Sequence, residues 1–147
     1  SLEEKIKLAE EKNQYYVQFL QTMGKKDVSP SVIETLYYLK KQGYLLAIGS
    51  SSKNAKLILR QTELTDWFDA ISDGNNIKNS KPDPEVFLKA AQFLDLSPAQ
   101  CVVVEDAEAG ICAAKAGGME AVGIGAACQC EKADYHITTF TELQTIY

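Results

Sequence analysis

The sequence predicts an α/β fold, a doubly wound parallel sheet with helices on both faces. Three observations carry the prediction. Short apolar runs alternate with helical stretches from Tyr44 onward. Cys101-Val102-Val103-Val104 has the unbroken β-branched character of a strand covered on both sides. Two helical stretches open at Ser29-Pro30 or Asp83-Pro84 and three stop at glycine, and strands alternating with helices imply right-handed crossovers. The 147 residues, 46% hydrophobic and 24% charged, suffice for about one domain with a real core.

Taken in order, Leu2, Ile6, Ala9, Asn13, Tyr16, Val17 and Leu20 recur at helical spacing, so residues 2–22 read as one amphipathic helix ended by Gly24. Lys25-Lys26-Asp27 is a solvated connection. Ser29 as N-cap and Pro30 at the first helical position open the next helix, with Val32, Ile33, Leu36 and Leu39 inward and Gly43 closing it. A strand over 44–48, a helix over 54–62 and a strand over 68–72 follow. Beyond the polar loop Asp73-Gly74-Asn75-Asn76, Asp83 is the N-cap and Pro84 the first residue of a helix reaching Leu94. The strand 101–104 leads to a helix over 107–116, stopped by Gly117-Gly118. Residues 121–124 form a further strand and 135–137 a last edge strand.

A net charge of −5 argues against general affinity for nucleic acid or anionic membranes, both of which need a basic surface. No apolar run approaches a membrane span and no signal-like stretch opens the sequence, so a reduced, cytoplasmic protein is the expectation. Cys101 and Cys112 fall in apolar segments, as buried free thiols do. Cys128-Gln129-Cys130 with a lone His136 behind it falls short of a tetrahedral zinc set.

Ligands of such sheets bind beyond the carboxyl ends of the strands, and three polar clusters lie there. Ser50, Ser51 and Ser52 lead from a strand into a helix near Asn54; hydroxyls and free amides at that place suit an anion, though a helix cap with surplus serines explains them too. Asn79-Ser80-Lys81-Pro82-Asp83-Pro84 pins a lysine between a polar loop and two prolines, where its ammonium would neutralise a phosphoryl group; a solvated lysine is the plainer alternative. Glu105-Asp106 sets adjacent carboxylates at the mouth of a strand, an arrangement suited to Mg²⁺ unless Asp106 merely caps the next helix. Gly110 is a poor helix residue and implies close packing against the sheet or a ligand loop. Together the clusters describe Mg²⁺-assisted phosphoryl transfer.

In that combination the residues resemble the haloacid-dehalogenase superfamily of phosphotransferases. Ile48-Gly49-Ser50 is similar to its second motif, Ser80-Lys81-Pro82 to its third, and Val103-Val104-Glu105-Asp106 with Ala109-Gly110 to its fourth. Ser50-Ser51-Ser52-Lys53-Asn54 and Lys12-Asn13-Gln14-Tyr15-Tyr16 further resemble the β-phosphoglucomutase family within it. The resemblance implies a Rossmann-like core in which Ser50 and Lys81 hold the phosphoryl group and Glu105 and Asp106 bind Mg²⁺. It also implies that the stretch Ser51, Ser52, Lys53 and Asn54 binds substrate, Ser52 and Asn54 on the distal phosphate or sugar side, with Lys12 reaching in from a helical cap. The substrate is then a small phosphosugar, interconverted between β-glucose 1-phosphate and glucose 6-phosphate through an aspartyl phosphate. A sugar-phosphate phosphatase and a non-catalytic phosphate-binding module are the alternatives.

The superfamily's first motif, a strand followed by Asp-x-Asp that carries the nucleophile, has no match, since the sequence contains no Asp-x-Asp. Residues 1–27 are therefore expected to be the last cap helix, and 28–147 a core lacking its first, central strand. Two strands would then expose unpaired edges, to be filled by another segment or chain, and this chain alone is expected to be inactive and marginally stable.

Overall fold

The computed structural model describes residue 4 and residues 21–147. Helix α1 (Pro30–Lys41) begins after Ser29, whose backbone is extended as an N-cap should be. The Ser29 hydroxyl bonds the Ser31 hydroxyl (2.8 Å), with no side-chain cap on a main-chain amide. At the other end Gly43 (φ +91°) is left-handed. Tyr44 N–H donates to Leu39 O (3.1 Å) and Gly43 N–H to Lys40 O (3.0 Å), the paired bonds of a Schellman cap. This cap accounts for the first departure from expectation. Strand β1 (Ala47–Gly49) is shorter than 44–48, because Tyr44 belongs to the helix end, and Leu45 is 50% exposed.

There follow α2 (Ala55–Gln61), β2 (Ala70–Ser72), α3 (Glu85–Phe93), β3 (Val102–Glu105), α4 (Glu108–Ala116), β4 (Glu120–Gly123), β5 (Tyr135–His136) and α5 (Leu143–Ile146). All but α5, which the sequence reading did not anticipate, match the expected elements to within a few residues. Pro84 occupies the N-cap of α3 rather than its first turn, and Asp83 caps from one residue further out, its Oδ1 accepting the Glu85 N–H at 2.9 Å. Ala107, not Asp106, is the N-cap of α4, so the capping alternative for Asp106 fails. Helices α2 and α3 end as α1 does but without glycine: Glu63 (φ 58°) and Asp95 (φ 56°) take the left-handed position. Cys101 and Cys112 are half-buried rather than buried, the first at the amino end of β3, the second beside the Lys132 ammonium (3.3 Å).

All strand pairing is parallel, but the strands fall into two sheets, β1–β2 and β3–β4–β5. Hydrogen bonding shows which edges are open. Leu46 O accepts from Asp69 N–H (2.7 Å) and Ser50 N–H donates to Ser72 O (3.0 Å). The alternate residues Ala47 and Gly49 therefore turn their main-chain groups away from β2. Likewise Cys101 O and Glu105 O accept from Glu120 and Ile124, so Val102 and Val104 turn theirs away from β4. Among the described residues no strand pairs with either edge. Val102 is 39% exposed, short of the two-sided cover its sequence implies.

Side chains nevertheless divide as a doubly wound sheet requires, successive residues going to opposite faces. Val103 and Ala121 enter one apolar cluster with Val86, Phe87 and Ile111 from α3 and α4. Val104 and Val122 enter the other, with Leu39 of α1 and Leu143 of α5. Helix α3 lies over β1 and β2, α4 over β3 and β4. The first cluster is rich in alanine, which lets these helices approach the sheets closely. No helix of the described residues is long and apolar enough to cross a membrane.

Candidate active site

The turn leaving β1 is built by its own hydroxyls. Ser50 Oγ accepts the Ser52 N–H (3.1 Å) and Ser52 Oγ accepts the Asn54 N–H (3.0 Å), two successive side-chain turns that swing the chain into α2. Part of the serine run is thus explained by turn formation rather than by the helix cap of the plainer reading. Ser51 between them is different: its Oγ is enclosed and has no hydrogen-bond partner among the described residues. Asn54 is the N-cap of α2, and Lys53 is exposed.

Lys81 crosses the opening between the two sheets. Its Nζ donates to Gly49 O on the open edge of β1 (3.1 Å) and to Glu105 Oε1 at the end of β3 (3.1 Å). The same ammonium stands 4.7 Å from the centroid of the Phe87 ring. With side-chain exposures of 16% and 14%, Lys81 and Glu105 form a well-enclosed ion pair. The residue is held as firmly as its proline-framed sequence implied. Phe87 was not anticipated, although its ring explains Gly49, where a Cβ would overlap ring carbons.

Glu105 and Asp106 behave differently despite their adjacency. The Glu105 side chain folds inward over α4, where a Cβ on Gly110 would overlap its Cγ, Cδ and Oε2. Gly110 thus makes room for a carboxylate, which is the close approach its position implied. Glu105 Oε2 also accepts the Ala107 N–H (3.3 Å), while Asp106 is exposed. Mg²⁺ is commonly held by one or two carboxylates, retained waters and a phosphate, so hard oxygen donors from Glu105 and Asp106 fit it. Among the described residues no three metal-ligating side chains cluster, and His136 Nε2 is engaged with Cys130 O (2.8 Å).

The loop after β2 completes the carboxyl edge and contains residues that periodicity did not reveal. Asp73 is 1% exposed; its Oδ1 accepts the Asn75 N–H (2.9 Å) and its Oδ2 has no partner among the described residues. Asn76 bonds the Ser72 hydroxyl (3.0 Å), and the Lys89 ammonium donates to Asn76 O. The Glu85 carboxylate accepts the N–H groups of Lys78 (2.9 Å) and Asn79 (2.8 Å), which hold it below the usual carboxylate range. An acid at a helix start facing a polar loop was the available signal for this staple. Lys12 lies outside the described residues.

Fold and site together define a doubly wound α/β domain whose polar residues gather at the carboxyl ends of β1, β2 and β3. The chain belongs to the haloacid dehalogenase-like hydrolase family, whose profile matches residues 1–124. It is 43% identical over 122 residues to the β-phosphoglucomutase of Bacillus subtilis, covering 83% of this chain and 54% of that protein. Over 120 residues it is 34% identical to a phosphorylated carbohydrates phosphatase of Thermotoga maritima, covering 80% of this chain and 53% of that one. The crystal structure of β-phosphoglucomutase from Clostridium difficile superposes with a TM-score of 0.89 at 37% identity, covering 97% of this chain and 64% of that chain. The chain spans about half the length of the curated relatives it matches.

Proposed function

We propose that this chain supplies the phosphoryl-binding half of a β-phosphoglucomutase-like phosphotransferase, interconverting β-glucose 1-phosphate and glucose 6-phosphate. The observation that carries the reading is Lys81, whose ammonium joins Gly49 O, one residue before Ser50, to Glu105 across the two half-sheets. In this reading the Ser50 hydroxyl and the Lys81 ammonium receive the phosphoryl oxygens, and Glu105 aims Lys81. The nucleophilic aspartate comes from outside this chain. Mg²⁺, held by Glu105 and Asp106, supplies charge neutralisation on the transferring group. Ser51, Ser52, Lys53 and Asn54 with Lys12 face the remainder of the substrate, residues 1–27 belong to a cap, and the setting is the cytoplasm.

The open edges of β1 and β3 support a second element of the proposal, that one further parallel strand, from another segment or chain, joins the two sheets. Parallel strands are ordinarily buried, and an unpaired edge on each side of one gap is a poor resting state in water. Without that strand the chain is inactive. A phosphatase acting on small sugar phosphates is the competing reading, favoured by the phosphatase among its relatives. The deciding measurement uses the protein with the coding sequence upstream of Ser1. Isomerisation of β-glucose 1-phosphate without release of inorganic phosphate supports the mutase, net phosphate release supports the phosphatase, and neither activity sinks both.

A further inference from the structure

The segment between β2 and α3 contains no helix or strand, yet it carries Lys81. Pro82 and Pro84 have no N–H to donate, so side chains must do much of the holding. One turn forms inside the segment, where Asp83 N–H donates to Ser80 O (3.1 Å) across Lys81 and Pro82. What fixes that turn in space comes from the start of α3. Glu85 reaches back with both carboxylate oxygens. Its Oε1 takes the Lys78 N–H (2.9 Å), and its Oε2 takes the Asn79 N–H (2.8 Å) and side-chain amide (3.1 Å). Asp83 Oδ1 in turn accepts the Glu85 N–H (2.9 Å), so hydrogen bonds close both ends of the stretch that bears Lys81. One helical turn further on, the Lys89 ammonium stands 3.7 Å from Glu85 and donates to Asn76 O. Lys78 gives only its amide; its side chain lines, with Lys53, a cavity of about 410 Å³ beside the loop.

The same helix meets the far end of the lysine, since the Phe87 ring lies 4.7 Å from the Lys81 ammonium. Helix α3 thus holds Lys81 at its root through Glu85 and at its tip through Phe87. Pinning the tip of a flexible four-carbon stem costs side-chain entropy, and a fixed root lowers that cost. A first-turn acid that served only the helix dipole would have no need of the loop's amides. Three hydrogen bonds from the loop to one carboxylate exceed that need.

We infer that Glu85 is a positioning residue for Lys81. Its carboxylate sets the backbone from which Lys81 enters the space between the two sheets, and so the affinity of the carboxyl edge for a phosphoryl group. The consequence for affinity rests on the proposed phosphoryl role of Lys81, whereas the placement of Lys81 does not.

The test uses the protein with the coding sequence upstream of Ser1, below the melting temperature of every variant. Lysines are acylated with acetic anhydride and the modified peptides quantified by mass spectrometry. Glu85→Ala should raise the rate at Lys81 about tenfold. Lys115, paired with Asp134 (2.7 Å) near the start of β4, should be unaffected. Glu85→Gln keeps one acceptor oxygen and should fall between Glu85→Ala and the wild type. Unchanged acylation at Lys81, or an equal rise at Lys81 and Lys115, overturns the inference. Calorimetry with inorganic phosphate is the second readout. Glu85→Ala should weaken binding about three- to tenfold, yet cause no further loss in a Lys81→Gln background. An equal loss in both backgrounds shows that Glu85 does not act through Lys81, and also overturns the inference. Phosphate binding that ignores Lys81→Gln counts against the phosphoryl role of Lys81, and the acylation rates then decide on Glu85 alone.

Discussion

Replacing Gly110 by alanine sets two effects against each other. Gly110 lies in the first turn of α4, where alanine is the better helix former by about 0.5–1 kcal/mol. A Cβ there, however, overlaps the Glu105 carboxylate, which must swing away and abandon Lys81 at 3.1 Å and the Ala107 amide at 3.3 Å. Both side chains of that ion pair are mostly enclosed, and hydrogen bonds to charged groups contribute about 1.5–3 kcal/mol. The loss outweighs the gain, so Gly110→Ala should destabilise by about 1–2 kcal/mol in urea unfolding. In a Glu105→Ala background the obstruction is gone, and the same substitution should stabilise by up to about 1 kcal/mol. A change of the same sign in both backgrounds refutes the idea that Gly110 exists to accommodate Glu105.

Lys81→Gln leaves Glu105 enclosed and unpaired, which should cost about 1–3 kcal/mol in urea unfolding and weaken inorganic phosphate binding in calorimetry. Glu63→Gly should stabilise by up to about 1 kcal/mol, because glycine tolerates the left-handed backbone; Asp95→Gly should gain less, since aspartate enters that region more readily. The Glu63–Lys25 pair lost in the first case is exposed and weak. Stability should also respond to acid. The amides of Thr139 and Thr138 hold the Glu142 carboxylate below its ordinary 4.5, as the Lys78 amide does for Glu85. A depressed folded-state value contributes stability that is complete above the ordinary value and is lost as pH falls through the lower one. Melting temperatures taken down to about pH 3 should therefore drop less steeply for Glu142→Gln than for the wild type.

Much of this was legible in the residues, for identifiable reasons. Ser29-Pro30, Gly43 and Gly117-Gly118 act locally through backbone geometry, so they marked helix ends within a residue or two. Glu63 and Asp95 terminate helices in the same way but escaped notice, because neither residue type signals a left-handed turn. Lys81 stood out through its two prolines. Phe87 and Glu85 did not, since a helical apolar residue and a first-turn acid are both ordinary until one sees what lies opposite them. The start of β1 was placed too early because Tyr44 and Leu45 are apolar, yet they lie outside the ladder.

The sequence by itself determined the alternation of strands and helices, the parallel pairing, and the residue types at the carboxyl edge, since these follow from periodicity and local backbone preference. Only the tertiary structure decided which partners those residues take. It turned Glu105 onto Lys81 while leaving Asp106 in solvent, and set Lys53 and Lys78 beside one cavity. It also set the strands in two sheets with facing duties for one lysine. Those outcomes depend on contacts between segments far apart in the chain, and no local pattern encodes a distance.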